Sequence, residues 1–185
     1  MLKSLLKPSL LVLALIASQA SQAANLSADG SWQAFDVDNL IASSGNLEWI
    51  DLDGNALSFD FTLSQAAYLR VVDGGFAGDR FQIFDHGNLL GITSEASQSY
   101  PTSLGLDFDA AWANAAYSQG TFLLSAGSHS ITGWLSTSAL DDLSSPINAT
   151  VGAVSLTAVP VPAAAWLYLT GASLLGALSR RKHLV

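Results

Sequence analysis

Through the middle of the chain apolar and polar residues alternate, and the period is two. Residues 56–64 (ALSFDFTLS) put Leu57, Phe59, Phe61 and Leu63 on one face and Ser58, Asp60, Thr62 and Ser64 on the other. That is the pattern of a half-buried strand with one wet side. Further runs predict strands at 68–72, 80–84, 89–93, 121–126, 129–136 and 148–158, with shorter ones at 32–37 and 47–52. The turns between them are rich in Gly and Asp. Residues 73–79 (DGGFAGD) tolerate positive φ, residues 85–88 (DHGN) predict a hairpin, and Gly127-Ser128 predicts a tight turn pairing 121–126 with 129–136. Residues 94–120 break the rhythm. They are too long for a hairpin loop and predict a short helix at 109–117 (DAAWANAAY). With no long amphipathic helix, the elements predict an all-β fold, an antiparallel β-sandwich of jelly-roll-like form.

The two ends read differently. Lys3 and Lys7, an apolar run at 10–17 and Ser21-Gln22-Ala23 predict a secretory signal peptide over 1–23. Ala23 and Ala24 flank the expected cut, with Ala20 as an alternative. At the other end, an apolar run over 163–178 precedes Arg180-Arg181-Lys182. A helix of about 17 to 20 apolar residues spans a bilayer, and basic residues at one end mark its cytoplasmic side. The chain thus divides into a signal peptide (1–23), a β-sandwich ectodomain (24–158) and a C-terminal segment (159–185) with a single transmembrane helix.

That last segment contains Val159-Pro160-Val161-Pro162, then Ala163-Ala164-Ala165-Trp166-Leu167, Gly171, Gly176 and the closing basic triplet. It resembles the PEP-CTERM sorting signal of exported bacterial proteins, which membrane transpeptidases called exosortases handle. Val161 stands where the family has its glutamate, which makes this a VPxP-AAAWL subtype. The resemblance implies a sorting motif of Val159, Pro160, Val161, Pro162, Ala163, Ala164, Trp166, Arg180, Arg181 and Lys182, set out as a tetrad (159–162), a transmembrane helix (163–179) and a basic stop (180–182). It also implies signal peptidase and exosortase as partners, export through the inner membrane, transient anchoring there, and delivery to the cell surface or extracellular matrix. The run Gly78-Asp79-Arg80-Phe81-Gln82-Ile83-Phe84-Asp85-His86-Gly87 resembles β-rich ectodomains common among such proteins. That resemblance implies the sheet and not an activity; the shortage of catalytic constellations makes the expected role a non-catalytic structural or adhesion component associated with exopolysaccharide or biofilm.

Charge and chemistry narrow the partners. Apart from the terminal basic residues, only Arg70 and Arg80 face fifteen acidic residues, which excludes nucleic acid, since phosphate binding rests on Lys and Arg. Cations and neutral sugars remain. Cysteine is absent, so disulfides and thiolate metal sites are absent too. Asp51, Asp53 and Asn55 offer oxygens at alternating positions, as calcium prefers, although Thr62 stands where an EF-hand would have its glutamate; a hairpin turn with solvated acids is the competing reading. Asp73, Asp79 and Asp85, in adjoining turns, could supply a second oxygen set. No other cofactor is expected. For a sugar, stacking needs exposed aromatic faces; of Trp32, Trp49, Trp112, Trp134 and Tyr117, the pair in the long excursion, Trp112 and Tyr117, is the expected rim. Gly127-Ser128-His129 reads as a turn rather than a nucleophile–base pair, since no G-x-S-x-G elbow is present. Two alternatives stay open: a secreted carbohydrate-active hydrolase with an acidic residue pair, and a calcium-dependent sugar-binding module.

Overall fold

A computed structural model describes residues 22–160. In chain order its elements are β1 (Gln22–Ala24), β2 (Asp29–Asp38), β3 (Leu57–Leu63), β4 (Ala67–Asp73), β5 (Gly75–Phe76), β6 (Arg80–Asp85), β7 (Asn88–Ile92), β8 (Ser103–Gly105), the helix α1 (Phe108–Ala113), β9 (Gln119–Leu124), β10 (Gly127–Thr137) and β11 (Ala149–Ala158). One sheet has the order β1-β3-β10-β6-β7, the other β2-β11-β4-β9, and β5-β8 form a small ribbon. Among the described residues the strand pairs are antiparallel, apart from β1 on β3. The fold is an all-β sandwich, as the alternation predicts.

The inward positions of that alternation make the core. Leu57, Phe59 and Leu63 of β3, Leu69 and Val71 of β4, Phe81 and Ile83 of β6, Ile131 and Leu135 of β10, and Val154 and Leu156 of β11 form one buried cluster. Its centre is Trp49, stacked on Phe35 at 3.9 Å and 17°, with Phe59 and Phe81 presenting their edges. Two glycines make room for the stack. A Cβ on Gly133 of β10 would lie 2.0 Å from Trp49 Cε2, and one on Gly152 of β11 would lie 2.3 Å from Phe35 Cζ.

Trp49 also explains why residues 47–52 form no strand of their own. Its backbone N–H donates to the Gly133 carbonyl in one sheet, and that of Ile50 donates to the Asp36 carbonyl in the other. The segment therefore crosses the sandwich, making only the bridges Glu48–Trp134, Ile50–Asp36 and Ile50–Ala56. A second correction concerns Gly127-Ser128. β9 lies beside β4 in the four-stranded sheet, whereas β10 lies between β3 and β6 in the other. The turn is a crossover between sheets, because alternation tells which face of a strand is buried but not whether its neighbour lies beside it or across from it. The helix is shorter than expected: Asp107 caps it by accepting from Ala110 N, and it stops at Asn114, whose backbone is extended and whose Oδ1 accepts from Ala116 N.

The expected signal-peptidase site, Ala23 and Ala24, falls in β1, which pairs with the outer side of β3; a cut after Ala23 would leave only Ala24 there. Residues 1–21, and the sorting residues Val161, Pro162, Ala163, Ala164, Trp166, Arg180, Arg181 and Lys182, lie outside the described residues. Val159 and Pro160 lie inside them, and Val159 N donates to the Ala66 carbonyl. Among the described residues no helix is long and apolar enough to cross a membrane; the expected span at 163–179 is not among them.

Close packing leaves little slack for added volume at the stack. Gly133→Ala is expected to cost about 3 kcal/mol, read as a lower urea midpoint at unchanged slope. A wild-type midpoint would show that Trp49 is not held as described.

Candidate functional site

The functional groups gather at the two ends of the sandwich. Because Ala149 pairs with Asp38, and Thr157 with Asp29, β11 runs from one end to the other. Its start lies beside the loops that follow β2 and β4, and its end beside the start of β4, where Ala158 pairs with Ala67.

At the end where β11 starts, β4 carries its apolar run Val71-Val72 straight into Asp73, which is completely buried, and Asp79 is only 2% exposed. The glycines of the intervening turn fold it back so that Gly78 N and Asp79 N both donate to Asp73 Oδ2 at 3.2 Å. Gly78 itself sits at φ 141°, with Gln98 Oε1 only 2.6 Å from where a Cβ would be. Asp79 Oδ1 accepts from Ala139 N at 2.8 Å, and the Thr150 hydroxyl also bonds the Asp79 carboxylate. Asp73 Oδ1 is buried with no hydrogen-bond partner. Burial, then the neighbouring Asp79 charge, pushes the Asp73 carboxyl up to about 9, against the pull of the backbone amides. Burial pushes Asp79 up to about 6, opposed by its bonds to Ala139 and Thr150.

Beside this turn a cavity of about 330 Å³ is lined by residues including Asp36, Asp38, Ile41, Asp51, Leu52 and Thr150. Phe35 and Val37 point into the core, so Asp36 and Asp38 stand on the other face of β2. Burial, with the Asp38 charge adding, holds the Asp36 carboxyl above its ordinary range. Asp51 is placed here too, but its oxygens serve its own loop: Oδ1 accepts from Asp53 N and Asn55 N, both at 2.9 Å, and Asn55 turns its amide nitrogen toward it. Slight burial opposes the shift, but the bonds from Asn55, Asp53 and Gly54 hold the Asp51 carboxyl low. Asp53 is exposed. Asp51, Asp53 and Asn55 thus close a turn and do not converge as three oxygen ligands; among the described residues no three of His, Cys, Asp or Glu form a metal-binding group.

The expected sugar rim separates. Tyr117 is buried, its hydroxyl donating to the Gly75 carbonyl at 3.0 Å and accepting from Leu104 N at 3.2 Å. It pins the excursion to the β5 turn and offers no face to a ligand, a correction to the sequence expectation. Trp112 is half-buried and packs on Trp32, with the Arg70 guanidinium 5.3 Å over its ring. It braces α1 against the outer face of the four-stranded sheet.

Asp85, expected near Asp73 and Asp79, lies at the opposite end of β6. Its Oδ2 is 2.8 Å from His129 Nδ1, its Oδ1 accepts from Ser130 N, and His129 Nε2 donates to the Ser125 carbonyl. His86 Nε2 faces the Ser128 carbonyl rather than its hydroxyl. The arrangement clips the β6–β7 hairpin to the start of β10.

Two measurements follow. Both buried acids have raised pKa values, so the folded state holds protons that the unfolded chain, titrating near about 4, has released. Stability is therefore greatest in acid and falls as pH rises through 6 toward 9. In chelator-treated buffer the melting temperature is expected to drop by roughly 5 °C or more between pH 5 and 9, and Asp73→Asn is expected to flatten most of that slope; a flat wild-type profile would contradict the burial of the pair. Tyr117→Phe is expected to cost about 1 to 2 kcal/mol through the two lost hydrogen bonds, measured by urea unfolding.

The chain matches no protein-family model and no curated protein. Among solved structures it is similar to the pre-peptidase C-terminal domain of a collagenase from Bacillus anthracis, at 8% identity and a TM-score of 0.38, over 76% of this chain and 97% of that one.

Proposed function

We propose that this is an exported surface protein whose β-sandwich is a non-catalytic structural or adhesion module, led out by residues 1–23 and held by 159–185 until an exosortase passes it to the cell surface or a polysaccharide matrix. The observation that carries this reading is the direction of β11. The strand delivers the chain to Val159 and Pro160, the first half of the sorting tetrad, and it starts beside the acidic cavity. Ten extended residues span about 33 Å, so an anchor beginning at Val159 holds the cavity and the Asp73–Asp79 turn away from the membrane. Apart from the β6–β7 hairpin, each of the eight longer strands is followed by one in the opposite sheet, which supports the jelly-roll-like form. The histidine–carboxylate pair near Ser128 is occupied with structural bonds, which favours a module that binds over one that turns over substrate.

One observation favours the hydrolase alternative. Asp36 and Asp38 share a concave site, and a carboxyl held above its ordinary range there is what a general acid needs.

Mass spectrometry of the protein from wild-type cells and from cells lacking the exosortase tests the main reading. The C-terminal segment is expected to be missing in the first and retained in the second, and an intact C-terminus in both would overturn the sorting. Incubation with the host's exopolysaccharide is expected to give retention on the polymer without release of reducing sugar. Release that Asp36→Asn abolishes would replace this reading with the hydrolase.

A further inference from the structure

Asp73 presents a physical problem. A carboxylate oxygen removed entirely from solvent and left without a hydrogen bond is among the costliest arrangements a fold can hold, and here a second buried carboxylate lies six residues on, bonded through the same turn. The peptide amides do not resolve it. Gly78 N and Asp79 N go to Oδ2, Ala139 N goes to Asp79 Oδ1, Gly74 N, which also pulls on the Asp73 carboxylate, is bonded to the Val151 carbonyl, and Asp73's own N–H is spent on the Ser118 carbonyl. No Lys, Arg or His is bonded to either acid among the described residues; Arg80, next in sequence, turns away to Glu95 and the Thr93 carbonyl.

We propose that Asp73 and Asp79 are the anionic ligands of a calcium ion, with Asp73 Oδ1 as the oxygen aimed at it. The proposal stands on the buried, unpartnered oxygen and is independent of the sorting reading. Three features of the site select the ion. The donors are oxygens, those of the two carboxylates, whose bonding partners are backbone amides and the Thr150 hydroxyl. Both histidines of the described chain lie at the far end of the sandwich, bonded to Asp85, Ser125 and Ser128, so the set is hard, which argues against zinc. The enclosure argues against magnesium, which keeps several of its waters, and for calcium, which accepts irregular oxygen cages.

The frame around the pair is fixed from four directions. Gly74 N donates to the Val151 carbonyl, Ser99 N donates to the Ala77 carbonyl, and Ala77 N donates back to Ser99 Oγ. Ala139 and Thr150 then hold Asp79 from the loop before β11 and from β11 itself. Calcium here would tie together the β4–β6 turn, the start of the 94–118 excursion and the loop before β11. Protonation is the competing way to relieve the pair, and it makes a different forecast: a neutral Asp73 gains nothing from calcium.

The test uses the full-length protein, purified with its C-terminal segment and stripped with EDTA, at pH 8. Addition of 2 mM CaCl₂ is expected to raise the melting temperature by roughly 5 °C or more, MgCl₂ at the same concentration by much less, and calorimetric titration is expected to find one calcium site per chain. Asp73→Asn, which keeps the shape of the side chain, is expected to abolish both the shift and the binding, while Asp53→Asn in the other acidic turn leaves both intact. Identical melting in calcium and EDTA, with no heat of binding, would overturn the proposal. So would a calcium response that survives in Asp73→Asn, since the ion would then be held elsewhere on the acidic surface. Should Asp73→Asn fail to fold, Asp79→Asn is read in its place, and the wild-type titration decides on its own.

Discussion

Trp49 lies flat on Phe35 at 3.9 Å, and two strands have given up their side chains to allow it. Gly133 lies under the indole and Gly152 under the phenyl ring, one in each sheet. The stack therefore fills the gap between the sheets with aromatic surface, and large flat rings bury more area per ordered side-chain torsion than aliphatic residues do. Much of the fold's geometry follows from seating it. Residues 47–50 must cross from one sheet to the other to bring Trp49 in, which is why they bond to β10 and to β2 without joining either as a full strand. A smaller device of the same kind closes an open side, where Phe122 of β9 packs against Gly91 of β7 and Gly120.

With the centre filled by apolar rings, polar chemistry is displaced to the two ends, and they are treated differently. Where β11 ends, Asp85 and His129 satisfy each other and the neighbouring backbone. Where it begins, Asp73 and Asp79 are buried beside each other and Asp73 is left half-satisfied. A fold of this size has only a narrow stability margin, so an uncompensated carboxylate pair is hard to account for as scaffolding alone. The asymmetry leaves the unpartnered carboxylate oxygen at the end remote from Val159.

How much of this the chain discloses by itself depends on the range of the interaction. The alternation of 56–64 is a local signal, and β3 forms within one residue of it at each end. The hairpin at 85–88 is likewise local and joins β6 to β7. Whether two strands lie side by side or face each other is decided by contacts far apart in sequence, and so Gly127-Ser128 looks like a hairpin turn and is a crossover. Trp49 looks like one more inward strand residue because the glycines that seat it are more than eighty positions away. Tyr117 reads as a rim aromatic until the Gly75 carbonyl, 42 residues earlier, is seen to accept a hydrogen bond from its hydroxyl. β5 and β8, at two and three residues, are too short to carry any period. For the candidate site, the Gly- and Asp-rich run 73–79 announced a turn with oxygens, but the burial of Asp73 is conferred by β11 and the excursion packing over it, which no local pattern encodes.

β11 links these levels. It is the inner strand between β2 and β4, bonded on both sides along nearly its whole length; it carries the glycine beneath Phe35; its Thr150 reaches Asp79; and it leads into the tetrad, with Val159 still bonded to Ala66. A pull on a tail anchored after Pro160 would enter the domain along this strand. The ladders on either side run perpendicular to that pull and would have to break together in shear rather than unzip one at a time, while the Phe35–Trp49 stack must leave its seat before β11 can slide. The strand that leads into the C-terminal segment is thus also the one that the core, the two ladders and the acidic turn all hold, so a load applied after Pro160 would meet a strongly held element of the domain first.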